Sequence, residues 1–253
     1  MPGYQDFEFD LPGALLQRLV EILKNLIPAP LNEDILDAVP DAQGVYQLFL
    51  HNQLVYIGKT DAEAGLNRRL RRHAKKIQHR KQLDPTDMSF KAVRIYVFTA
   101  VDLETQLIAY YGGLKQVRWN GSGFGSNDPG RERDTTKYKS DHFDSLYPID
   151  IDRVLSISLP VIDSAASMLI ELKKVLPYVF RFESASAHSR QPHADLIATP
   201  ITLPVNFTPT ARNVIATVVP KLPSGWRAVH LPSHIILYKN TLTYPSGTLI
   251  AHS

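Results

Sequence analysis

Two strand-forming runs joined by a short polar turn constrain the fold of this chain more than any other feature. Residues 44–50 read GVYQLFL, residues 54–58 read LVYIG, and His51, Asn52 and Gln53 lie between them. Val, Ile, Tyr and Phe favour extended backbone, and two such runs around a short turn are typical of a β-hairpin. We therefore predict an antiparallel hairpin over residues 44–60.

A basic amphipathic helix is predicted to follow the hairpin, over residues 66–81. Its apolar positions recur at helical spacing, and no acidic residue occurs between Glu63 and Asp84. Because the whole chain carries a formal net charge of only +3, this local concentration of positive charge indicates a polyanionic partner. A solvated basic helix face is the alternative. The apolar positions are Leu66, Leu70, Ala74 and Ile77, and the basic ones are Arg68, Arg69, Arg71, Arg72, Lys75, Lys76, Arg80 and Lys81, with His73 and His79.

The other patterns along the chain predict an α+β fold, with a small three-stranded antiparallel sheet flanked by helices and a C-terminal, mostly β extension. Residues 119–148 are expected to form a long loop, which is costly unless it has a function. Helices are predicted over residues 12–27, from Asp102 to Tyr111 and over 162–182 with a break at Pro177. Strands are predicted over residues 89–98, 201–207, 214–219, 226–231, 235–238 and 248–251.

These elements suggest a division into one large domain and a small extension. We predict a domain over residues 1–183, a small polar linker over 184–196 and a β-rich extension of unknown role over 197–253. The chain has no cysteine, which excludes disulfides, thiolate metal sites and cysteine nucleophiles. It has neither a secretory signal nor an apolar run of about 20 residues, so we expect a soluble protein inside the cell.

The hairpin and the basic helix carry a motif that resembles the GIY-YIG nuclease superfamily. One strand contains Gly44-Val45-Tyr46, with Val45 where the family has isoleucine, and the other contains Tyr56-Ile57-Gly58. The helix contains Arg69-Leu70 and then His73, which matches the family pattern of Arg-Leu-x-x-His. The glutamate and the asparagine that complete the signature fall on Glu104 and Asn120. The resemblance implies a GIY-YIG fold.

The resemblance also implies a catalytic site for metal-dependent hydrolysis of phosphodiester bonds. Tyr46 would be the general base or would position the water, but a tyrosine with a pKa of about 10 is a poor base near pH 7. Its proton would therefore go to His73, or a neighbouring charge would favour the phenolate. Glu104 would be the side-chain ligand of Mg²⁺, for which Mn²⁺ could substitute. The implied catalytic residues are Tyr46, Tyr56, Lys59, Arg69, His73, Glu104 and Asn120.

The segment after the site resembles one branch of the type II restriction endonucleases, which has SacII-like specificity for the palindrome CCGCGG. The resemblance lies in Trp119-Asn120, Gly123-Phe124-Gly125, Pro129-Gly130 and Lys139-Ser140-Asp141. It implies double-stranded DNA as substrate, a homodimer that matches the two-fold palindrome, a cognate DNA methyltransferase and a prokaryotic cytoplasm. The expected DNA contacts are Arg68, Arg72, Lys76, Arg80, Arg131, Arg133, Lys137 and Lys139.

Two other functions fit the same residues. One is a structure-specific or single-strand DNA nuclease of repair or phage defence, which cleavage of a palindromic duplex at a fixed position would exclude. The other is a non-catalytic nucleic-acid-binding module, against which the complete set of catalytic residue types argues.

Overall fold

The computed structural model describes residues 3–7, 10–61, 63–96, 102–157, 163–187, 189–204 and 206–253. The chain divides into two compact units. The first unit comprises residues 1–74 and 84–125, and the second comprises residues 75–83 and 126–253. The predicted domain boundaries at 183 and 196 therefore fall inside the second unit. Within the described residues, no helix is long and apolar enough to cross a membrane.

The first unit is built on a four-stranded antiparallel sheet with the strand order β1-β4-β2-β3. The sequence predicted three of these strands and missed β1, a two-residue strand that pairs with Phe90 and Ser89. The strands are β1 (Ala29–Pro30), β2 (Gly44–Leu50), β3 (Gln53–Thr60) and β4 (Met88–Arg94), and the helices are α1 (Leu11–Asn25), α2 (Glu33–Leu36), α3 (Leu66–Lys76) and α4 (Leu103–Tyr110).

The predicted hairpin is confirmed. His51 and Asn52 both have positive φ angles, of 49° and 64°. Two consecutive residues with positive φ give the turn whose twist matches that of the flanking strands. The register places Tyr46 opposite Gly58 and Leu48 opposite Tyr56, so both tyrosines lie on the same face of the sheet.

The opposite face of this sheet carries a core that holds the hairpin against α1 and α4. Val45 and Ile57 point into it from the strands, and Leu19, Leu23 and Leu107 come from the two helices. Successive side chains of a strand point to opposite faces of the sheet, so the neighbour of a residue in this core lies on the other face. The alternation of Val45 with Tyr46, and of Ile57 with Tyr56, thus anchors the hairpin while it presents both tyrosines to α3.

The second unit contains another four-stranded sheet, with the order β5-β7-β6-β8. Strands β6 and β7 form an antiparallel hairpin, and β5 runs parallel to β7. One face packs on α6 and α8 through a large apolar core that includes Leu169, Leu172, Ile215 and Trp226. The strands are β5 (Val179–Phe182), β6 (Trp226–Leu231), β7 (His234–Lys239) and β8 (Thr248–His252), and the helices are α5 (Phe143–Leu146), α6 (Ala165–Val175), α7 (Ala194–Ala198) and α8 (Ala211–Val218).

Three of the five strands predicted for the C-terminal region are confirmed as β6, β7 and β8. The prediction of a strand over residues 214–219 is wrong, because these residues belong largely to α8. Thr210 caps that helix by accepting a hydrogen bond from the Asn213 backbone, and Ala211, Val214, Ile215 and Val218 are buried at helical spacing. No strand forms in the described part of the range 201–207. Of the helix predicted over residues 162–182, the structure contains α6, and residues 179–182 form strand β5 instead.

Two predicted elements of the first half also end earlier than expected. Helix α3 ends at Lys76 rather than at residue 81, and His79 has a positive φ of 49°, which a helix does not allow. Strand β4 ends at Arg94, and the predicted strand residues Val97 and Phe98 lie outside the described residues. The predicted loop 119–148 contains a short 3-10 helix, Gly130–Thr135, and helix α5.

A buried ion-pair cluster in the second unit holds two arginines that the sequence assigned to DNA. Asp144 is fully buried and accepts hydrogen bonds from Arg80, at 2.7 Å, and from Arg133, at 2.8 Å. The Arg80 side chain is only 4% exposed. Because both guanidinium groups stabilise a fully buried carboxylate, Arg80 and Arg133 have a structural role, and the prediction that they contact DNA is corrected here.

We predict that Asp144→Asn lowers the free energy of unfolding by about 3–5 kcal/mol, because it leaves two guanidinium groups without their buried counter-charge. Urea denaturation followed by fluorescence would measure this. The matched control is Asp152→Asn, which removes an exposed carboxylate that pairs with Arg212 and should cost less than about 1 kcal/mol. Equal losses for the two variants would contradict the structural role of Asp144.

Candidate active site

The two tyrosines of the hairpin form the floor of the candidate site. Tyr46 is fully buried and Tyr56 is nearly so, and their ring centroids lie 6.1 Å apart. The Tyr46 ring lies over Gly58, where a Cβ atom would come within 2.4 Å of the Tyr46 hydroxyl. Gly58 is therefore required for the space that it leaves above the strand.

Helix α3 brings an arginine and a histidine to the same hydroxyl. Arg69 and His73 are four residues apart and share one helix face. His73 Nε2 lies 2.8 Å from the Tyr46 hydroxyl, and Arg69 Nε donates to that hydroxyl at 3.3 Å. His73 is buried, whereas Arg69 is only partly covered. The hairpin and the helix thus assemble a hydrogen-bonded Tyr–His–Arg group.

Burial disfavours ionisation of the two phenol groups at the site. The apolar surroundings raise the pKa of Tyr46 far above its ordinary value, and the nearby Tyr56 raises it further, although Arg69 acts in the opposite direction. Burial also raises the pKa of Tyr56, with Glu104 as the next cause. Tyr46 is therefore a neutral phenol near pH 7. Since its oxygen accepts from Arg69, its one proton is available to a neutral His73, which would accept at Nε2.

A half-buried carboxylate completes the site from the first turn of α4. Burial raises the pKa of Glu104, while Lys59 lowers it through its charge and a backbone hydrogen bond, and Arg69 also lowers it. The Lys59 ammonium pairs at 3.0 Å with Asp102, which also caps α4 through Thr105. The hydrogen bonds from Thr105 and Lys59 lower the pKa of Asp102 to about 2. Lys59 thus pairs directly with Asp102 and also lowers the pKa of Glu104.

Asn120 has a different position from the one expected of a catalytic group. Its side chain is buried against the outer edge of β3, where Oδ1 accepts from the Ile57 backbone N–H at 2.9 Å and Nδ2 donates to the Ile57 carbonyl at 2.8 Å. The backbone N–H of Trp119 donates to the carbonyl of Val55 on the same edge, at 2.8 Å. This segment extends the sheet beyond β3, so Asn120 holds the strand that carries Tyr56.

Two residues at the site were not predicted as site residues. Phe124 is fully buried and stacks on His73, and the carbonyl of Gly125 accepts hydrogen bonds from Arg69, at 3.2 Å, and from Arg72, at 3.5 Å. The run Gly123-Phe124-Gly125 is visible in the sequence, but no helix or strand pattern relates it to α3. The hydrogen bonds of Trp119 and Asn120 with β3 bring this run to the site.

The remaining side chains that were expected to contact DNA differ in whether they already form ion pairs or ring contacts within the protein. Arg68 pairs with Asp41 at 2.5 Å on the surface, Lys76 lies over the ring of Phe143, and Arg131 pairs with Glu183 at 3.2 Å. Lys137 and Lys139 are exposed, and neither has a carboxylate within 4.0 Å among the described residues. Arg68 and Arg72 lie in the first unit, and Lys76, Arg131, Lys137 and Lys139 lie in the second.

The carboxylates and histidines do not converge into a multidentate metal site. Within the described part of the chain, no group of three or more His, Asp or Glu residues could hold a metal ion. Glu104 is the one side chain that the sequence predicted as a metal ligand. A single carboxylate is compatible with Mg²⁺, which usually keeps several waters and takes few protein ligands, and it would not suffice for Zn²⁺.

A comparison with protein families agrees with this geometry. Residues 42–115 match the family model of the GIY-YIG catalytic domain. The match contains Tyr46, Tyr56, Arg69, His73 and Glu104, and it indicates a nuclease. The mixed α+β architecture of the first unit is consistent with that fold. No curated protein matches the chain.

We predict that Lys59→Met raises the pKa of Glu104, because the variant removes a positive charge that favours the carboxylate. A carboxyl group with a higher pKa becomes protonated at a higher pH, so divalent-metal binding should be lost earlier as the pH falls. A ¹³C NMR titration of the carboxyl carbon would measure this, with the exposed Lys115→Met as the matched control. An unchanged Glu104 titration would show that Lys59 does not influence this carboxylate.

Proposed function

We propose that the protein is a metal-dependent endonuclease that hydrolyses phosphodiester bonds in double-stranded DNA. One observation carries the proposal: the buried Tyr46 hydroxyl is hydrogen-bonded to both His73 and Arg69. A tyrosine that only packed in a core would need one partner for its hydroxyl. The convergence of a base, a phenol and a guanidinium beside a half-buried carboxylate is what phosphodiester hydrolysis requires.

Tyr46 would act through His73 rather than as a phenolate. With its pKa raised by burial, the phenol cannot ionise near pH 7. It can, however, transfer its proton to His73 Nε2, 2.8 Å away, while its oxygen accepts a proton from the attacking water. The water becomes the nucleophile, and His73 holds the proton at Nε2. The exchange leaves the charge on the imidazole instead of the buried oxygen.

Arg69 would bind the scissile phosphate. Its Nε donates to Tyr46 and one of its terminal nitrogens donates to the carbonyl of Gly125, so the plane of the guanidinium is fixed. A guanidinium presents several N–H groups in a rigid fork, and those that remain can bind phosphate oxygens and stabilise the charge of the transition state. Tyr56, which lies between Tyr46 and Phe124, would help to position the phosphate.

Glu104 would hold the metal ion. A half-buried carboxylate with a raised pKa gains more from a cation than an exposed one does, and one carboxylate with several waters suits Mg²⁺. The bound ion would neutralise phosphate charge and polarise the scissile group. The charge of Lys59 lowers the pKa of Glu104 and so favours the carboxylate form when no ion is bound.

The restriction branch is the form of this activity that we favour, on the resemblance of the segment from Trp119 to Asp141. The protein would cut a GC-rich palindrome as a homodimer, beside a cognate DNA methyltransferase in a prokaryotic cytoplasm. Exposed Lys137 and Lys139 are available for phosphates, and Arg68, Arg72, Lys76 and Arg131 would have to release or share their present contacts. Surface ion pairs such as that between Arg68 and Asp41 stabilise by less than about 1 kcal/mol, so a phosphate can replace the carboxylate.

The test is a Mg²⁺-dependent digest of phage DNA, with sequencing of the fragment ends. Ends that share one GC-rich palindrome support the restriction enzyme. Ends without a common sequence, or cleavage confined to single-stranded or branched DNA, would assign the site to a structure-specific or single-strand nuclease. If the protein binds duplexes but cleaves none with any divalent metal ion, it is a non-catalytic nucleic-acid-binding module.

We predict that Glu104→Gln reduces the Mg²⁺-dependent cleavage rate by at least about 100-fold, because the variant keeps the shape of the side chain but loses the charge that holds the ion. Single-turnover cleavage of a duplex would measure the rate. The control is Glu132→Gln, which removes an exposed carboxylate of the second unit. Undiminished cleavage by the Glu104 variant would disprove its assignment as the metal ligand.

A further inference from the structure

Phe124 packs against the aromatic and imidazole rings of the candidate site. Its ring is fully buried and lies nearly parallel to the His73 imidazole, with 4.7 Å between centroids and 15° between planes. It meets Tyr56 edge-on at 5.1 Å and Trp119 at 4.7 Å. Phe124 thus covers one face of the imidazole whose Nε2 lies 2.8 Å from the Tyr46 hydroxyl.

The stack constrains the orientation of the imidazole. A histidine ring can rotate about its bond to Cβ, and only some of its orientations direct Nε2 at the Tyr46 hydroxyl. Because the Phe124 ring is stacked on one face of the imidazole, it hinders rotation away from those orientations. The face of such a ring is also negative, so it stabilises a positive imidazolium. Both effects favour proton transfer from Tyr46 to His73.

Gly125 fixes the backbone that carries Phe124. Its carbonyl accepts from Arg69, and a Cβ atom at this position would come within 2.3 Å of the Tyr56 hydroxyl. The chain therefore approaches Tyr56 more closely than any residue with a side chain could. Upstream, Asn120 fixes the same segment to Ile57. The ring of Phe124 lies between these two attachments.

We infer that Phe124 is a positioning residue that holds the His73 ring for proton transfer from Tyr46, an inference that rests on the proposed nuclease activity. Phe124 touches neither the phosphate nor the metal in this assignment. It acts through His73, so its loss should change the chemical step and the state of the imidazole while DNA binding remains.

The experiment compares Phe124→Leu with the wild-type protein, and uses Phe180→Leu as the matched control. Phe180 is an equally buried phenylalanine in the core of the second unit. For the Phe124 variant we expect kcat to fall roughly 3- to 30-fold, from the loss of stabilisation of the imidazolium, with KM unchanged. The control should leave both constants unchanged. If Phe124→Leu does not fold, Phe124→Met fills more of the space without an aromatic face.

A second readout does not depend on activity. The ¹⁵N shifts of His73 report which ring nitrogen carries the proton, and in the wild-type protein we expect one tautomer, with Nε2 as acceptor. Phe124→Leu should give averaged shifts of two tautomers. If the shifts change in this way but the protein cuts no DNA, the result would show that Phe124 positions the His73 ring, and it would refute the proposed nuclease activity. Unchanged shifts and an unchanged kcat, in a protein that does cut DNA, would overturn the role of Phe124 and leave the nuclease intact.

Discussion

The hydrogen bonds of one buried hydroxyl group, that of Tyr46, connect the hairpin to helix α3 at the candidate site. A buried phenol needs hydrogen-bond partners inside the protein, because an unpaired buried hydroxyl destabilises the fold by about 1–3 kcal/mol. Tyr46 finds them in His73 and Arg69. Arg69 and His73 therefore lie on the face of α3 that is turned toward the hairpin, and the space for the phenol ring requires a glycine at position 58. The same hydrogen bonds that satisfy the fold give the site a path for a proton.

The parts of this site that could be read from the sequence are those determined by local periodicity. The hairpin follows from the strand formers on both sides of His51 and Asn52, and the shared face of Arg69 and His73 follows from their spacing in a helix. The segment from Trp119 to Gly125 could not be placed in this way. Its position depends on the hydrogen bonds of Asn120 with Ile57, which are 63 residues apart. Such long-range pairing leaves no periodic trace in the sequence.

The basic segment after the hairpin illustrates how charge in a sequence overstates charge that is available to a ligand. Arg68, Arg71 and Arg80 each have an acidic partner far away in the chain, namely Asp41, Asp37 and Asp144. Counting charges in a window cannot reveal these pairs. In a similar way, residues 214–219 resemble a strand by composition, but the burial of Val214, Ile215 and Val218 on one side makes them helical. Tertiary packing overrides β-propensity there.

The central claim is that the Tyr46 hydroxyl performs chemistry and does not only pack. The most direct test is the single-turnover cleavage rate of Tyr46→Phe on a duplex that the wild-type protein cuts, with DNA affinity measured in parallel. The variant removes one oxygen atom and keeps the ring over Gly58. We predict a rate that is lower by about 100- to 10,000-fold, the usual contribution of a general base, with DNA affinity unchanged. Cleavage at the wild-type rate would contradict the account.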